Sequence, residues 1–243
     1  MNVKHVTCLA AALTLLSGCA VNNPEPWDYA AFQKSAPRSI LVMMPTSQAS
    51  DVKAGPACLA SSVQPLAEAG YYPMPVTMVY DTMRFNGVTE AGEMHQLPLP
   101  KLKEVFGADA VMYIDVEEYD TTYKVLDSVS KVKVNARLVD INTGADLWTN
   151  RFTVNNADSS PSSNPIAQLI GAVVKHVVNE AADVKFPLSQ TNAWYLYTPG
   201  AIRPTPILVG PYHPQYGNDA ILKKIEADRR AGAAEDPSGK KSE

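Results

Sequence analysis

Short apolar runs and helical stripes alternate along the first half of the chain. Residues 39–44 (SILVMM) form a continuous apolar run closed by Pro45, which is typical of a buried strand covered on both faces. Apolar positions at helical spacing then predict a helix over residues 56–70, in which Pro65 predicts a kink or a break. The same signals predict two more strands, over residues 71–76 and 109–119, and two more helices, over residues 77–86 and 101–106. Strands interspersed with helices favour an α/β fold.

Strict alternation of polar and apolar residues begins at Lys131. Along residues 131–138 the even positions are apolar and the odd positions are polar, which predicts a strand with one face in water. A turn at residues 142–144 (NTG) follows, and residues 147–154 again place large apolar side chains at even positions. The pattern predicts an antiparallel hairpin whose even positions share one face.

The clearest helical pattern follows this hairpin. Asn164 suits the N-cap and Pro165 the first helical position. The apolar residues of this helix form one stripe, at Ile166, Leu169, Ile170, Val173, Val177 and Ala181. We expect the stripe to pack on the sheet and Pro187 to end the helix. Residues 39–187 are thus predicted to form a mixed sheet with short core strands, an antiparallel hairpin and packed helices.

Residues 188–217, here called the strap, are rich in proline and aromatic residues. Six prolines between positions 187 and 214 rule out helix over most of this segment. Its candidate binding residues are Trp194, Tyr195, Tyr197, Tyr212, His213 and Tyr216. Such side chains are enriched both where extended segments pack and where partners bind, so the strap is packed on the domain or serves as a partner surface. Residues 218–243 are expected to form a C-terminal helix and a disordered tail.

The amino terminus has the pattern of a secretory signal, predicted over residues 1–18. Its apolar run, residues 6–16, is about half of the ~20 residues that a membrane-spanning helix needs. The run ends in Leu16-Ser17-Gly18-Cys19, which resembles the bacterial lipobox. The resemblance implies cleavage between Gly18 and Cys19, a diacylglyceryl group on the Cys19 thiol, and acylation of the new amino terminus, for example by palmitate. The alternative is an ordinary cleaved signal in which Cys19 is incidental.

Lipidation at Cys19 predicts a chain that is anchored to a membrane without spanning it. Two or more acyl chains make a durable anchor, whereas one chain binds only marginally. Ala20 stands where an Asp would resemble an inner-membrane retention signal, so we expect the outer membrane, with the body facing the periplasm or the cell surface. Residues 19–38 are predicted to be a lipidated tether. The later part of this tether is expected to pack on the domain through Trp27, Tyr29 and Phe32.

The charge of the chain limits its possible partners, and its cysteine content limits the possible state of Cys58. The chain has 21 basic and 25 acidic residues and a net charge of −4, and the signal carries away one lysine and no acid. No basic patch stands out, which excludes nucleic acid as a partner. Cys8 leaves with the signal and Cys19 is lipidated, so Cys58 is left either buried or paired between chains. Its apolar neighbours favour burial.

One acidic group raises the question of catalysis. It consists of Asp115, Glu117, Glu118 and Asp120. On a strand, Asp115 and Glu117 would point to one face about 7 Å apart, which suits a metal or a catalytic carboxylate pair. The mature chain has three histidines far apart in sequence, His95, His176 and His213. No nucleotide-binding or nucleophile-elbow motif is present. We therefore predict a non-enzymatic protein without a cofactor or metal, and a periplasmic hydrolase or metal-dependent enzyme is the alternative.

Several stretches together resemble one known family. They are residues 26–45 (PWDYAAFQKSAPRSILVMMP), 70–87 (GYYPMPVTMVYDTMRFNG), 106–123 (FGADAVMYIDVEEYDTTY), 138–148 (LVDINTGADLW) and 210–217 (GPYHPQYG). The family is that of Gram-negative outer-membrane lipoproteins of unknown function, with a meningococcal vaccine candidate as a member. The resemblance covers almost all of the mature chain up to its C-terminal tail.

This resemblance implies an α/β fold similar to the amino-terminal domain of TolB. It also implies an outer-membrane role in envelope assembly or in secretion and transport, beside a lipoprotein like the curli secretion pore and other envelope lipoproteins. It brings no catalytic residues. A homodimer is compatible with the sequence, and no pattern in it indicates one.

Overall fold

The computed structural model describes residues 27–123, 128–156, 184–199 and 205–217, together with Lys223 and Ala227. The signal sequence with Cys19, nearly all of the helix expected between Asn164 and Pro187, and most of the C-terminal tail lie outside the described residues. None of the described helices is long and apolar enough to cross a membrane.

Helices and strands are interspersed along the described chain. The helices are α1 Ala30–Ser35, α2 Ala54–Glu68, α3 Val76–Phe85, α4 Ala91–Met94, α5 Leu99–Phe106 and α6 Lys185–Tyr197. The strands are β1 Ser39–Val42, β2 Thr46–Ser47, β3 Tyr72–Pro73, β4 Ala110–Tyr123, β5 Ser128–Asp140 and β6 Asp146–Asn155. The predicted α/β class is confirmed.

The described strands form one mixed sheet in the order β3-β1-β4-β5-β6, with β2 also paired to β4. β1 is parallel to β3 and β4, whereas β5 is antiparallel to β4 and β6. The predicted hairpin is confirmed as β5 and β6, joined by a turn in which Gly144 has a φ of +72°. Its even positions share a buried face, with Val132 opposite Val154 and Leu138 opposite Trp148.

Both faces of the short parallel strand β1 are covered, as its continuous apolar run predicts. Ile40 and Val42 belong to a core shared with α1, α2 and α6. Leu41 and Met43 belong to a second core shared with α3, α4 and α5. Because successive strand residues point to opposite faces, helices lie on both sides of this part of the sheet.

Helix α2 passes through Pro65 without the expected break. A proline inside a helix removes one N–H and crowds the preceding turn. Here Pro65 is buried, the adjacent Leu66 is part of the main core, and the Ala69 N–H still donates to the Pro65 carbonyl at 2.9 Å. We attribute the continuity of the helix to the packing of this turn, which outweighs the local preference against proline.

Three predicted boundaries need correction. The strand expected over residues 71–76 is only Tyr72–Pro73, because the prolines that follow Tyr72 supply no N–H to a ladder. Pro187 does not end a helix but lies in the first turn of α6, where its missing N–H has no intrahelical partner in any case. The domain does not start at residue 39 either, since Phe32 of α1 is buried in the main core. The expectation that the later tether packs on the domain is confirmed.

Candidate docking surfaces and the charged strands

The described part of the strap begins with α6, which sequence reasoning missed because the prolines in this region disfavour helix. Its residues Leu188, Ala193 and Leu196 enter the main core. The Asn192 side chain donates to the Val132 carbonyl at 3.2 Å and to the Phe152 carbonyl at 2.9 Å, which ties the helix to the hairpin strands β5 and β6. The first part of the strap is therefore a structural element of the domain.

Residues 205–211, here called the crossing segment, run along the end of the sheet where β1, β3 and β4 begin. The Trp148 indole on β6 donates to the Thr205 carbonyl at 2.9 Å, and the Asn150 amide donates to the same oxygen at 3.2 Å. The buried Tyr29 hydroxyl donates to the Pro206 carbonyl, and the Tyr71 hydroxyl donates to the Leu208 carbonyl at 2.6 Å. The segment is thus held by side-chain donors that bond to its backbone carbonyls. Proline has a carbonyl but no N–H, so its presence does not weaken this attachment.

The crossing segment reaches the opposite edge of the sheet through two glycines. The Gly210 N–H donates to the Ala69 carbonyl at 2.7 Å. A Cβ on Gly210 would lie 2.3 Å from the Gly70 oxygen, and a Cβ on Gly70 would lie 2.4 Å from the His213 nitrogen. Only hydrogen side chains allow the two backbones to approach this closely. The four strand spacings from β6 to β3 measure about 19 Å, which the extended segment spans.

The structure separates the predicted partner residues of the strap into buried and exposed ones. Tyr197 is buried with its ring centroid 6.1 Å from that of Trp148, so its assignment to a partner surface is wrong. The half-buried Tyr195 packs edge-on against Phe152. His213 is half-buried, and its Nδ1 accepts from the Gln215 N–H at 3.1 Å. The exposed members are Trp194, Tyr212 and Tyr216.

Helices α2 and α6 lie side by side and carry almost no charge. Their hydroxyls meet at Ser61 and Ser189, 2.9 Å apart, and Lys185 at the start of α6 pairs with Asp51 just before α2. Lys185 and Glu68 are the only charged residues in the two helices. Solvent-facing helices ordinarily carry charged residues on the outer side. Apart from Glu68, which accepts from the Gln64 amide at 2.9 Å, the outer side exposes small or uncharged residues: Ala60, Gln64, Ala67, Phe186, Gln190 and Trp194.

The acidic group of β4 is taken up in cross-strand ion pairs. Glu117 contacts the Lys133 amine at 2.9 Å and the Arg151 guanidinium at 2.6 Å, and Glu118 contacts the Lys131 amine at 2.9 Å. A register shift between Val116 and Glu118 places Glu117 in a bulge of the ladder. The hydrogen bond from Lys133 is the main cause that lowers the pKa of Glu117. A lowered pKa suits a structural ion pair and opposes the role of a general acid.

Of the two histidines in the described ranges, His95 lies nearer to the acidic strand. Its Nε2 lies 2.9 Å from the Met44 carbonyl, and its ring packs edge-on against Tyr113 at 5.2 Å. Burial lowers the pKa of His95, while the charge of Asp115 acts in the opposite direction. Asp115 itself accepts a hydrogen bond from the Thr46 hydroxyl. His176 lies outside the described residues.

Metal and thiol chemistry find little support in this arrangement. Within the described ranges, no three His, Cys, Asp or Glu side chains are grouped to hold a metal ion. The Cys58 thiol is buried, as its apolar neighbours predict, and burial raises its pKa to about 12. A thiol with this pKa stays protonated and unreactive near neutral pH.

Comparison with known proteins shows to which family the chain belongs. A family model described as "Putative lipoprotein GNA1162-like" matches residues 27–212. The chain belongs to the GNA1162-like lipoprotein family. The resemblance drawn from the sequence stretches is thereby confirmed. One GNA1162-like relative, the NMB1124/NMB1162 protein of Neisseria meningitidis serogroup B, is 40% identical over 189 residues, which are 78% of this chain and 88% of the relative.

Solved structures agree with the fold of the GNA1162-like family. The crystal structure of lipoprotein GNA1162 from Neisseria meningitidis has 41% identity and a TM-score of 0.50, and the match covers 59% of this chain and all of that one. The LpoB C-terminal domain from Salmonella enterica is more distant, with 16% identity and a TM-score of 0.38 over 49% of this chain and 83% of that one. We draw no functional argument from a likeness at that distance.

Proposed function

We propose that this protein is a lipid-anchored outer-membrane lipoprotein that acts as a non-enzymatic accessory or scaffold in envelope assembly, secretion or transport. Its membership of a lipoprotein family, together with the sequence Leu16-Ser17-Gly18-Cys19, is the observation that carries this proposal. Cys19 would bear the diacylglyceryl group and an acylated amino terminus. The partners would be other envelope lipoproteins, including one like the curli secretion pore, or a second copy of the chain.

The outer side of α2 and α6 is our candidate for the partner surface. Its only exposed charged residue in these two helices is Glu68, whereas charged residues make up 19% of the chain. Depletion of charge and enrichment of aromatic residues are what distinguish the centre of a protein interface from other surface. Trp194 is 41% exposed, which suits an aromatic anchor. This narrows the partner surface from the whole strap to the helix that carries Trp194.

Co-purification from detergent-solubilised envelopes tests the proposal. The native protein is compared with Cys19→Ser, which removes the anchor, and with Trp194→Ser, which removes the exposed ring. We expect the anchor variant to leave the membrane fraction and the Trp194 variant to stay there but lose its co-purifying proteins. Phe85→Ser is the matched control, because Phe85 is 90% exposed on α3, away from α2 and α6.

Two results would contradict the proposal. Mass spectrometry could find an unmodified Cys19 in the native protein, which would remove the anchor. Trp194→Ser could retain every partner, which would remove the assigned surface. Loss of partners in both Trp194→Ser and Phe85→Ser would point to a general folding defect, which circular dichroism of each variant would reveal.

A further inference from the structure

Three exposed tyrosines gather at one corner of the sheet. Tyr72, Tyr212 and Tyr216, here called the aromatic corner, are 51%, 66% and 49% exposed. The Tyr212 N–H donates to the Gly70 carbonyl at 2.9 Å, and Tyr72 follows Gly70 by two residues. The Tyr216 N–H donates to the His213 carbonyl at 2.9 Å, and the His213 backbone lies against Gly70, which places Tyr216 at the same corner.

The aromatic corner lies at the end of the sheet to which the anchor is tied. The described chain begins at Trp27, whose indole donates to the Leu147 carbonyl at 2.8 Å near the start of β6. The crossing segment joins this point to the corner over about 19 Å. Eight residue steps separate Trp27 from Cys19, and an extended chain covers at most about 3.6 Å per step, or about 29 Å. The anchor and the corner can therefore meet the same membrane.

Two other exposed apolar side chains lie at the opposite end of the sheet. Val52 is 90% exposed just before α2, and Phe186 is 40% exposed near the start of α6. The pairing of Lys185 with Asp51 places both at the opposite end of the sheet, where β1 ends. Proximity to the tether therefore favours the aromatic corner over Val52 and Phe186.

The charges around the corner are mixed. The Arg38 carbonyl accepts from the Tyr72 N–H at 2.8 Å, so an exposed arginine stands beside the corner. Glu68, in the last turn of α2, is exposed on its other side. Tyrosine sits readily at the level of lipid headgroups, since its ring is apolar and its hydroxyl polar. Contact with lipid would thus depend on the rings more than on net charge.

We propose that the aromatic corner rests in the headgroup region of the membrane that carries the Cys19 lipid. The proposal rests on the lipid anchor of the proposed function. It assigns the corner to lipid and leaves the α2 and α6 surface to a protein partner. The anchor holds the chain at the membrane, and the corner fixes how the body is turned towards it.

Fluorescence quenching by lipid tests the contact directly. The lipidated full mature chain, with Trp27→Phe and Trp194→Phe, is placed in vesicles of phosphatidylethanolamine and phosphatidylglycerol that carry brominated acyl chains. In this background Tyr216→Trp introduces an indole at the corner and Val52→Trp introduces one at the far end, while the remaining Trp148 is fully buried. We expect quenching and a blue shift at position 216 and neither at position 52.

A second measurement uses the chain without its lipid. Cys19→Ser protein is sedimented with the same vesicles, with and without Tyr212→Ser and Tyr216→Ser. We expect the double variant to bind roughly tenfold more weakly, because two rings no longer leave water. Added salt should not weaken binding, because chain and vesicles are both net negative and salt only screens their repulsion.

Specific results would overturn the proposal. The indole at position 216 could stay unquenched in a chain whose mass shows full lipidation. That result would exclude contact between the corner and lipid without contradicting the lipid anchor. Quenching absent in pure vesicles but a blue shift present in native envelopes would assign the corner to a protein. An unlipidated mass would instead refute the proposed function on which the inference rests.

Discussion

At the scale of single residues, the glycine contact between α2 and the crossing segment is the tightest constraint in the described chain. Gly70 has a φ of +90°, and its Cβ position is filled by His213, whereas Gly87 has a similar φ of +84° with open space around it. We expect Gly87→Ala to cost about 1 kcal/mol of unfolding free energy, from backbone strain alone. Gly70→Ala should cost more than about 3 kcal/mol, since a steric clash adds to the strain.

Urea unfolding of the two variants checks this expectation. Gly210→Ala is a third member of the set, because Gly210 has no positive φ and would report the clash alone. Equal losses for Gly70→Ala and Gly87→Ala would show that the crossing segment does not approach Gly70 as closely as described.

His95 should make the stability of the fold depend on pH. Burial lowers its pKa below the usual value near 6.5, so the folded state favours the neutral ring. Its stabilising contribution is complete above the unfolded pKa and declines as the pH falls below it. We expect the unfolding free energy of the native chain to fall more than that of His95→Gln between about pH 7.5 and about pH 5.

Chemical denaturation at the two pH values supplies the comparison. The groups that face His95 are Tyr113 and Asp115 of β4 and Arg137 of β5. The arginine keeps its charge throughout this range, and protonation of His95 would add a second positive charge beside it. An identical pH dependence in both proteins would show that His95 titrates as if it were in water.

At the scale of elements, helix α1 belongs to the domain and not to the tether. Tyr29 and Phe32 are buried, and Trp27 donates to β6. We therefore expect a chain that starts at residue 27 to fold as stably as the mature chain, and a chain that starts at residue 39 to lose several kcal/mol. Thermal unfolding of the two truncated chains, compared with the mature chain, measures the difference. Equal thermal unfolding midpoints for the chains that start at residues 27 and 39 would show that α1 does not stabilise the domain.

Sequence patterns predicted most elements whose signal is periodic. The alternation over residues 131–138 identified both strands of the hairpin and the face they bury, because a strand with one wet face has a period of two. Signals based on proline failed at Pro65 and Pro187, since the cost of a proline depends on its position in the turn and on packing from distant segments. The pairing of Glu117 with Lys133 and Arg151 was also missed, because three strands bring these residues together.

At the scale of the whole molecule, both edges of the sheet are blocked against adding a further strand. The β3 edge has Pro73, which offers no N–H. On the β6 edge the Trp27 indole caps the Leu147 carbonyl, and the Asn150 side chain accepts from the Arg151 N–H. Exposed strand edges are otherwise a route to self-association. Partners are therefore expected at helical or aromatic surfaces.

Opening the β6 edge should promote self-association. We expect Trp27→Phe with Asn150→Ala to free backbone groups on β6 and to raise the apparent mass with concentration in analytical ultracentrifugation. Thr149→Ala serves as the control, because its hydroxyl donates to the Ala136 carbonyl within the hairpin and not at the outer edge. A double variant that sediments like the native chain would mean that other features protect this edge.

The course of the crossing segment also determines where Gly217 lies relative to the tether. Trp27 and Gly217 lie at opposite edges of the sheet but at the same end, so an insertion after Gly217 would lie at the end that the proposed lipid anchor holds. A reporter or epitope attached there would crowd the bilayer and escape antibodies. Labels near Val52 or Phe186, at the other end, should remain accessible in intact envelopes.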